Sequence, residues 1–508
     1  MFAKTYGSTT LGVDGVIIDV EVDVSNGLPA FDLVGLPDPS VKESRERVRT
    51  AIKNSGIQLK AGHVTINLAP ADIRKDSSGL DLPMAVALLM AYGLVPAGRT
   101  ERSLFAAELS LEGELRGIHG VLPMVIKARE AGLEAVFVAP DNVNEALLVE
   151  GIQVYGLKSL VEIADYLNER QKFQPAERSA ENRDLPEEID DFSDVQGQFI
   201  AKRAFEIAAA GGHNLLIVGS PGSGKTMLAR RMSSILPEMT PQEALEVTKI
   251  YSIAGLLKGN AGLMRQRPFR SPHHTTSAAA MIGGGSIPRP GEVTLSHHGV
   301  LFLDELPEFG KASLEALRQP LEDAVVTVSR VHASLTFPAS FILITALNPC
   351  PCGYNGDALH ECTCTPNEIR HYTRKISGPL LDRIDIHIRV PRVEYKELTA
   401  GEKAESSSVI RERVRAARNI QLKRLQKYHI FCNAQMSHAM LKKTCHLTEG
   451  AQRLLAQVFQ QKSLSARSYD RIIKVARTIA DLDGAAGIEE RHIAEAVQLR
   501  NDIGLQPE

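Results

Sequence analysis

The chain has 508 residues, of which 44% are hydrophobic and 23% charged, and its net charge is -3. This length is too great for one hydrophobic core and predicts about three folded units of ordinary soluble composition. The longest apolar run, residues 84–92, is far shorter than the roughly 20 residues that span a bilayer, and the start, MFAKTYGSTT, lacks an apolar signal core. We therefore exclude a membrane protein and expect a cytoplasmic location. Six cysteines in so long a chain exclude a disulfide framework.

Residues 1–168 predict a self-contained α/β domain. Residues 16–24 alternate apolar and acidic side chains, as a half-buried strand does, and residues 63–69 indicate a second strand. Residues 81–92 are typical of a buried helix. The following stretch, residues 169–191, is polar and charged with two prolines, and it buries too little apolar surface to fold, so we expect a linker.

Residues 192–395 predict a second α/β domain. The runs LLIVGS, GVLFLDEL and ASFILITALNP are short, apolar and bounded by turn residues, which is typical of central strands in a parallel sheet covered on both faces. The remainder, residues 396–508, has helical periodicity and no convincing strand, so it predicts a helical lid.

A phosphate-binding loop, GSPGSGKT, follows the strand LLIVGS and precedes the helix MLARRMSSIL. Glycines let backbone N–H groups fold around phosphates, the helix N-terminus favours anions, Lys225 reaches the outer phosphates and Thr226 holds Mg²⁺. The cofactors are therefore predicted to be ATP and Mg²⁺. The predicted nucleotide-binding residues are Gly219, Ser220, Pro221, Gly222, Ser223, Gly224, Lys225, Thr226 and Met227.

An acidic pair, Asp304 and Glu305, follows the apolar strand GVLFL. Its position predicts two carboxylates at the carboxyl edge of the sheet, where phosphoryl groups bind in such folds. Asp304 can position Mg²⁺, and Glu305 can orient and polarise the attacking water. The acidic pair therefore predicts hydrolysis of the bound nucleotide.

Three further side chains are candidates for the same site. Asn348 ends the third strand and can hydrogen-bond water or the γ-phosphate. Arg383 can stabilise charge on the γ-phosphate of a neighbouring subunit, although an intrachain ion pair with its flanking aspartates is the alternative. Arg467 begins an amphipathic helix from which a lid could touch the nucleotide.

Four cysteines are crowded between residues 350 and 364. Cys350, Cys352, Cys362 and Cys364 form two C-x-C pairs separated by nine residues, and they offer the four thiolates of a structural Zn²⁺ site. Reduced thiols without metal are the equally weighted alternative. The two remaining cysteines, Cys432 and Cys445, are interpreted as packing residues.

The chain resembles the magnesium-chelatase-like AAA+ proteins, and in particular the ComM/YifB family of bacteria. The stretches RPFRSPHHTTSAAAMIGGG, PRPGEVTLSHHGVLFLDELPEF, LEALRQPLED and ALNPCPCG carry the resemblance, which covers essentially the whole chain. It implies a homohexameric ring with ATP bound between subunits, in which Asn348 is the first sensor, Arg383 the finger supplied in trans and Arg467 the second sensor. It also implies a DNA helicase that drives branch migration in homologous recombination and natural transformation, with single-stranded and branched DNA, and recombination proteins, as partners.

Relatives with a similar insert line a central pore with it, which makes residues 265–291 and a hairpin carrying Arg330 and His332 candidates for DNA contact. Subunit packing is the alternative for both segments. A third basic candidate is the helical stretch of residues 411–427. Because a ring repeats each basic group six times, a slightly acidic chain can still bind DNA.

The N-terminal domain resembles the Lon protease fold, but the resemblance argues against proteolysis. Gly79 stands where active relatives carry the nucleophilic serine, although Ser77 and Ser78 lie close, and Leu122 stands where a lysine is needed. A serine without its base is a weak nucleophile at neutral pH. We expect this domain to be a scaffold or to bind DNA or a partner.

Two other functions compete with the helicase. The first is an ATPase that remodels a partner protein, like the chelatase subunit, and the second is a nucleotide-gated scaffold that does not hydrolyse. The chelatase subunit lacks the long N-terminal domain, and an intact Glu305 conflicts with the scaffold. ATP turnover that does not respond to DNA would favour the remodelling function.

Overall fold

The structure is a computed structural model and describes residues 1–75, 77–178, 190–257, 262–285, 288–330, 333–357, 359–392, 404–461 and 464–500. It is a mixed α/β protein with a parallel central sheet and a helical C-terminal region, as the sequence predicts. None of the helices in these ranges has the length and apolarity needed to cross a membrane. Residues 179–189 of the predicted linker lie outside the described residues, as does His332.

A seven-stranded mixed sheet organises the N-terminal region, in the order β3-β4-β2-β1-β5-β8-β9. In the second strand, Ile18, Val20 and Val22 are fully buried, because alternate side chains point to the core. Its strands and those of a small antiparallel pair are β1 Phe2–Leu11, β2 Asp14–Ser25, β3 Ala30–Val34, β4 His63–Ala69, β5 Ser103–Ala106, β6 Glu108–Leu109, β7 Leu115–Arg116, β8 Ala135–Val138 and β9 Gln153–Gly156. The helices are Pro39–Asn54, Asp81–Ala91, Val121–Glu130, Val143–Ala146 and Leu160–Leu167.

A five-stranded parallel sheet organises the central region, in the order β11-β14-β17-β10-β18. Its inner strands are buried on both faces, which explains their unbroken apolar runs. The strands are β10 Leu215–Val218, β11 Phe269–Arg270, β14 Val300–Leu303, β17 Ile342–Leu347 and β18 Ile386–Arg389. The helices are Phe199–Gly211, Lys225–Arg230, Met232–Ile235, Pro241–Ile253, Ala278–Ile282, Glu292–Leu295, Lys311–Ala316, Arg318–Asp323, Pro366–Thr373 and Gly378–Leu381.

Two antiparallel hairpins project from the central region. The first joins β12 Gly283–Gly284 to β13 Arg289–Pro290. The second joins β15 Val325–Arg330 to β16 Ala333–Pro338 and confirms the hairpin expected there.

The C-terminal helices are Ser407–Leu425, His438–Thr444, Glu449–Gln461, Ala466–Leu482 and Glu490–Gln498. They share one hydrophobic cluster with the central sheet, which extends from Phe192 to Leu499. Polar contacts reinforce this packing: the buried Asp385 accepts a hydrogen bond from His213 and pairs with Arg471. The lid is therefore docked on the sheet rather than separate from it.

The helix Pro241–Ile253 connects the central and N-terminal regions. Its Lys249 pairs with Asp14 at 2.8 Å, and the N–H of Gly120 donates to the carbonyl of Ser252 at 3.1 Å. The hydroxyl of Ser252 also donates to the half-buried Glu145. The two α/β regions are thus joined through specific hydrogen bonds.

Candidate nucleotide site

The phosphate loop lies between the end of β10 and the helix Lys225–Arg230. The N–H of Gly219 donates to the carbonyl of Leu347 at 3.2 Å, which attaches the loop to the neighbouring strand β17. Gly222 and Gly224 have φ of +78° and +85°, a left-handed conformation in which a Cβ would be strained. The sequence thus folds here into a strand, a glycine turn and a helix N-terminus, the arrangement that binds phosphate.

Lys225 is the cation of the loop, and its ammonium group is already aimed at the loop carbonyls. The Nζ donates to the carbonyls of Gly219 at 2.6 Å and Ser220 at 3.0 Å, and to Oδ1 of Asn348 at 3.1 Å. Burial lowers the pKa of Lys225 from its usual value, while the charges of the acidic pair oppose that shift. The lysine therefore links the phosphate loop to the end of the sheet.

Thr226 and Asp304 form the second link across the site. The Thr226 hydroxyl donates to Oδ2 of Asp304 at 2.6 Å, although 78 residues separate them. A hydroxyl and a carboxylate are oxygen ligands of the type that Mg²⁺ takes beside substrate phosphates. These two residues fit the predicted magnesium site, and the loop and the sheet bring them into contact.

Glu305 stands next to Asp304 in an unusual conformation. Its φ of +52° and ψ of +48° are left-handed, and its N–H donates to Oδ1 of Asp304 at 3.0 Å. Such a conformation is uncommon for a residue with a Cβ, and it concentrates at functional sites. The side chain is 57% exposed, and its Oε2 lies 3.5 Å from Nδ1 of His274. Glu305 is thus free to face a bound substrate.

Glu305 and Asn348 line the same cavity, whose volume is about 670 Å³. Tyr372 forms part of the wall, and burial raises the pKa of its phenol to about 12, with Glu308 adding to the shift. The cavity also contains Lys375, which pairs with Glu308 at 3.3 Å. The predicted water-activating carboxylate and the predicted sensor therefore open onto one shared space.

The remaining loop residues show how the loop is supported. The hydroxyl of Ser223 is buried and has no hydrogen-bond partner among the described residues, whereas its carbonyl accepts from Nε2 of Gln198 at 2.7 Å. Met227 packs against the central hydrophobic cluster. The carbonyl of Pro221 accepts from Nη2 of Arg392 at 3.1 Å. A buried donor without a partner suits a loop that closes on an oxygen-rich ligand.

Three side chains around this site were missed by sequence analysis: His274, Gln198 and Arg392. His274 lies in the HH pair of RSPHHTTS, a visible signal that was assigned to DNA contact rather than to the nucleotide site. Gln198 and Arg392 lie in stretches with no motif, and only the fold brings them to the loop.

The two predicted arginines lie away from the described contacts of the phosphate loop. Arg383 is largely buried; its Nη1 donates to the carbonyl of Pro379 at 2.6 Å, and its guanidinium pairs with Glu322. Arg383 is thus in an intrachain ion pair, as in the alternative interpretation, but its partner is Glu322; the flanking Asp385 faces His213 and Arg471. Arg467 is exposed at the start of the helix Ala466–Leu482, as predicted.

The four clustered cysteines are brought together. Their sulfur atoms all lie within 4.8 Å of one another, and none of the six cysteines forms a disulfide. Cys432 and Cys445 are both buried in the lid, consistent with packing.

The arginines of the predicted DNA-contact segment, residues 265–291, fall into two groups. Arg267 pairs with Glu243 at 3.2 Å, and Arg270 pairs with Glu292 at 2.7 Å, so both are structural. The other two arginines, Arg265 and Arg289, are exposed.

The basic stretch of residues 411–427 forms a helix that is largely occupied by contacts within the chain. Arg411 donates to the Ser234 carbonyl at 2.8 Å, Arg418 donates to the Ala209 carbonyl at 3.0 Å, and Arg424 pairs with Asp481 at 2.6 Å. The interpretation of the whole stretch as a basic binding surface is therefore wrong for these arginines, because they dock the lid.

Gly79 and Leu122, two of the N-terminal positions compared with Lon, lie in the interior of the domain. Gly79 is buried, and a Cβ there would lie 2.5 Å from Ile118. The Ser77 hydroxyl accepts from the N–H of Gly79 and caps a short helical turn. Leu122 is fully buried. The local packing therefore accommodates glycine and leucine at these two positions.

Comparisons with known proteins identify relatives over the whole chain. Family models described as "Magnesium chelatase, subunit ChlI", "Subunit ChlI of Mg-chelatase" and "Magnesium chelatase, subunit ChlI C-terminal" match residues 191–398, 20–142 and 404–500. The chain is 42% identical to competence protein ComM of Haemophilus influenzae, over 99% of this chain and 98% of the relative. It is also 42% identical to YifB of Escherichia coli, over 96% and 95%. The magnesium-chelatase 67 kDa subunit of Chlorobaculum parvum is 28% identical over 31% and 23%.

Proposed function

The chain belongs to the magnesium-chelatase-like family of ComM and YifB, and we propose that it is an AAA+ ATPase that moves along DNA and drives branch migration. One observation carries the ATPase part of the proposal. Lys225 bonds to Asn348 at 3.1 Å and Thr226 bonds to Asp304 at 2.6 Å, so the phosphate loop and two strand ends converge on one point.

The residues divide the work of hydrolysis as follows. Lys225 and the loop N–H groups hold the outer phosphates, and Asn348 orients the lysine through its amide oxygen. Glu305 accepts the proton of the attacking water, because its exposed carboxylate opens into the cavity that Asn348 also lines. When bound beside Thr226 and Asp304, Mg²⁺ supplies positive charge that stabilises the phosphate oxygens.

The DNA part of the proposal has separate support. A relative with 42% identity over nearly the full length carries the name competence protein ComM. Arg265 and Arg289 are exposed on the segment that we propose lines the pore, and phosphate contacts need only a few such cations in each subunit of a ring. We propose a homohexamer in which Arg383 and Arg467 complete the neighbouring nucleotide site.

ATP turnover measured with and without DNA tests the proposal. Single-stranded and three-way-junction DNA should stimulate turnover by the wild-type protein, and the stimulation should decline as salt rises, because cation release drives the contact. The double variant Arg265→Ala/Arg289→Ala should retain basal turnover and lose stimulation. A matched double variant, Arg453→Ala/Arg491→Ala, changes two exposed cations of the lid that lie outside the predicted DNA-contact segments, and it should behave like the wild type. Turnover that is indifferent to DNA at every salt concentration would contradict the DNA function.

Strand displacement on three- and four-way junctions tests the coupling to branch migration. The wild-type protein should convert junctions to products only with ATP, and Lys225→Ala should not, because the cation that bonds to three oxygens across the site is gone. Conversion by Lys225→Ala at the wild-type rate would separate the activity from this site.

A second candidate function is ATP-driven remodelling of a partner protein. All three family models carry the description of the chelatase subunit, and the 28% identity to a chelatase subunit supports this alternative. The basic helix Ser407–Leu425 is compatible with such a protein, because its arginines dock the lid. ATP turnover without any DNA response would favour this function.

A further inference from the structure

We propose that Cys350, Cys352, Cys362 and Cys364 bind one zinc ion, and that the loop held by this ion braces the phosphate loop. The site would be a structural centre with four thiolate ligands and no open position, of the class that takes a soft divalent cation. The metal-binding half of the proposal is independent of the ATPase function, whereas the bracing half rests on it.

The spacing of the sulfur atoms supports a metal rather than disulfides. The Sγ of Cys350 lies 3.3 Å from that of Cys352 and 3.7 Å from that of Cys362, and Cys352 and Cys362 are 3.6 Å apart. A disulfide would require about 2.0 Å. A tetrahedron of sulfurs around zinc, with bonds of about 2.3 Å, has edges of roughly 3.8 Å. The described distances are close to those edges.

The backbone around the cysteines is also shaped for thiolate ligands. The N–H of Cys352 donates to Sγ of Cys364 at 3.4 Å, and the N–H of Asn355 donates to Sγ of Cys350 at 3.3 Å. The N–H of Gly353 donates to the Cys350 carbonyl at 3.0 Å, and its φ of +88° closes a tight turn. Hydrogen bonds to sulfur orient ligands and stabilise their charge. The turn therefore holds the thiols of Cys350 and Cys352 close to each other, as two ligands of one metal ion require.

The cysteine loop touches the phosphate loop directly. A Cβ on Gly353 would lie 2.6 Å from the ring of Pro221, so the turn between the cysteines packs against the loop without room for a side chain. Arg392 ties the two segments together. Its Nη2 donates to the Pro221 carbonyl at 3.1 Å, and its guanidinium lies over the ring of Tyr354, 5.7 Å from the centroid. The metal loop and Arg392 thus hold Pro221 from two sides.

The bracing effect follows from this contact. The described residues between 350 and 364 form no helix or strand, and the four ligands would supply the cross-link that holds the turn at Gly353 against Pro221. Without the ion the turn is free to move, and the phosphate loop loses the contact between Gly353 and Pro221 that supports it. Nucleotide affinity should then fall, although none of the four cysteines is among the predicted nucleotide-binding residues.

Metal content tests the first half. Full-length protein purified under reducing conditions should contain about one zinc per chain by elemental analysis. The double variant Cys362→Ser/Cys364→Ser should contain less than about a tenth of that. Cys432→Ser, which changes a buried cysteine of the lid, should retain the wild-type content. Wild-type protein with no stoichiometric zinc would overturn the site.

Cobalt substitution gives a readout that needs no variant. Chelator-treated wild-type protein titrated with Co²⁺ should develop the intense visible bands of a tetrahedral thiolate complex, saturating at one equivalent. Bands of that kind that survive in the double variant, or their absence in the wild type, would count against the four cysteines as ligands.

Binding of a fluorescent ATP analogue tests the second half. The affinity for the ATP analogue should be about tenfold lower in Cys362→Ser/Cys364→Ser, which is the effect expected when a contact that supports a binding site is lost. Arg392→Gln should keep its zinc and lose affinity by several-fold. Wild-type affinity in both variants would overturn the brace and leave the zinc result standing. A wild-type protein that binds no nucleotide at all would instead contradict the proposed function.

Discussion

Replacing Glu305 with glutamine is the sharpest test of the hydrolytic assignment. The change keeps the size and shape of the side chain and removes its ability to accept a proton from water. The side chain is 57% exposed, and its one described ion-pair partner is His274, at 3.5 Å. The free energy of unfolding should therefore change by less than about 0.5 kcal/mol, as for an ordinary surface substitution.

The effect on the reaction should be far larger than the effect on folding. A general base contributes typically 10²- to 10⁴-fold, so turnover of Glu305→Gln should fall by about that factor, or roughly 3 to 5 kcal/mol of activation free energy. ATP binding should be unchanged, because Lys225 and Thr226 keep their contacts with Asn348 and Asp304. The variant should accordingly bind ATP without releasing product.

Steady-state phosphate release and equilibrium binding of a fluorescent ATP analogue measure the two quantities separately. Glu308→Gln is the matched control, since Glu308 lines the same cavity and is 44% exposed, yet it pairs with Lys375. It should retain turnover within about twofold. Wild-type turnover in Glu305→Gln, or an equal loss in both variants, would refute the role of Glu305.

Three further predictions concern the surroundings of the site. Arg383→Ala should lower ATP turnover by about 10³-fold while ATP binding persists. Glu322→Gln removes only the intrachain partner of Arg383, so it should lower turnover by less than about tenfold. Similar losses of turnover in both variants would show that the arginine has a structural role. Thr226→Val removes a proposed magnesium ligand, so the Mg²⁺ concentration that gives half-maximal turnover should rise about tenfold. An unchanged Mg²⁺ dependence would contradict the ligand assignment. Burial, aided by the charge of Arg500, lowers the pKa of His387 from 6.5 to about 3. Between pH 3 and pH 6.5 the unfolded chain therefore binds more protons than the folded one. As the pH is lowered below about 6.5, the free energy of unfolding should decrease by up to about 1.4 kcal/mol per pH unit. Urea unfolding at about pH 7.5 and about pH 5.5 should show this loss in the wild type and a smaller one in His387→Gln, and equal losses would contradict it.

The arginines illustrate what sequence analysis could not predict. Arg265 and Arg267 are two residues apart in one basic segment, yet the first is exposed and the second pairs with Glu243. The lid helix shows the same contrast, because Arg415 is exposed whereas Arg424 pairs with the buried Asp481. A charge is free or paired according to what lies opposite it in space, and neither spacing nor composition carries that information.

The sequence by itself determined the chemistry that depends on contiguous residues. The phosphate loop, the acidic pair and the cysteine pairs could be read directly, because each group of ligands lies within a short stretch and each stretch follows or precedes an identifiable strand or helix. The strand and helix patterns were equally local, since burial on one or two faces leaves a periodicity in the chain.

Only the tertiary structure decided how these pieces meet. The order β14-β17-β10 brings Asn348 to Lys225 across 123 residues, and the same edge brings Asp304 to Thr226 across 78 residues. It also set Pro221 against the turn at Gly353. Such contacts depend on which strands become neighbours, and that choice is made by packing of the whole core rather than by any local motif.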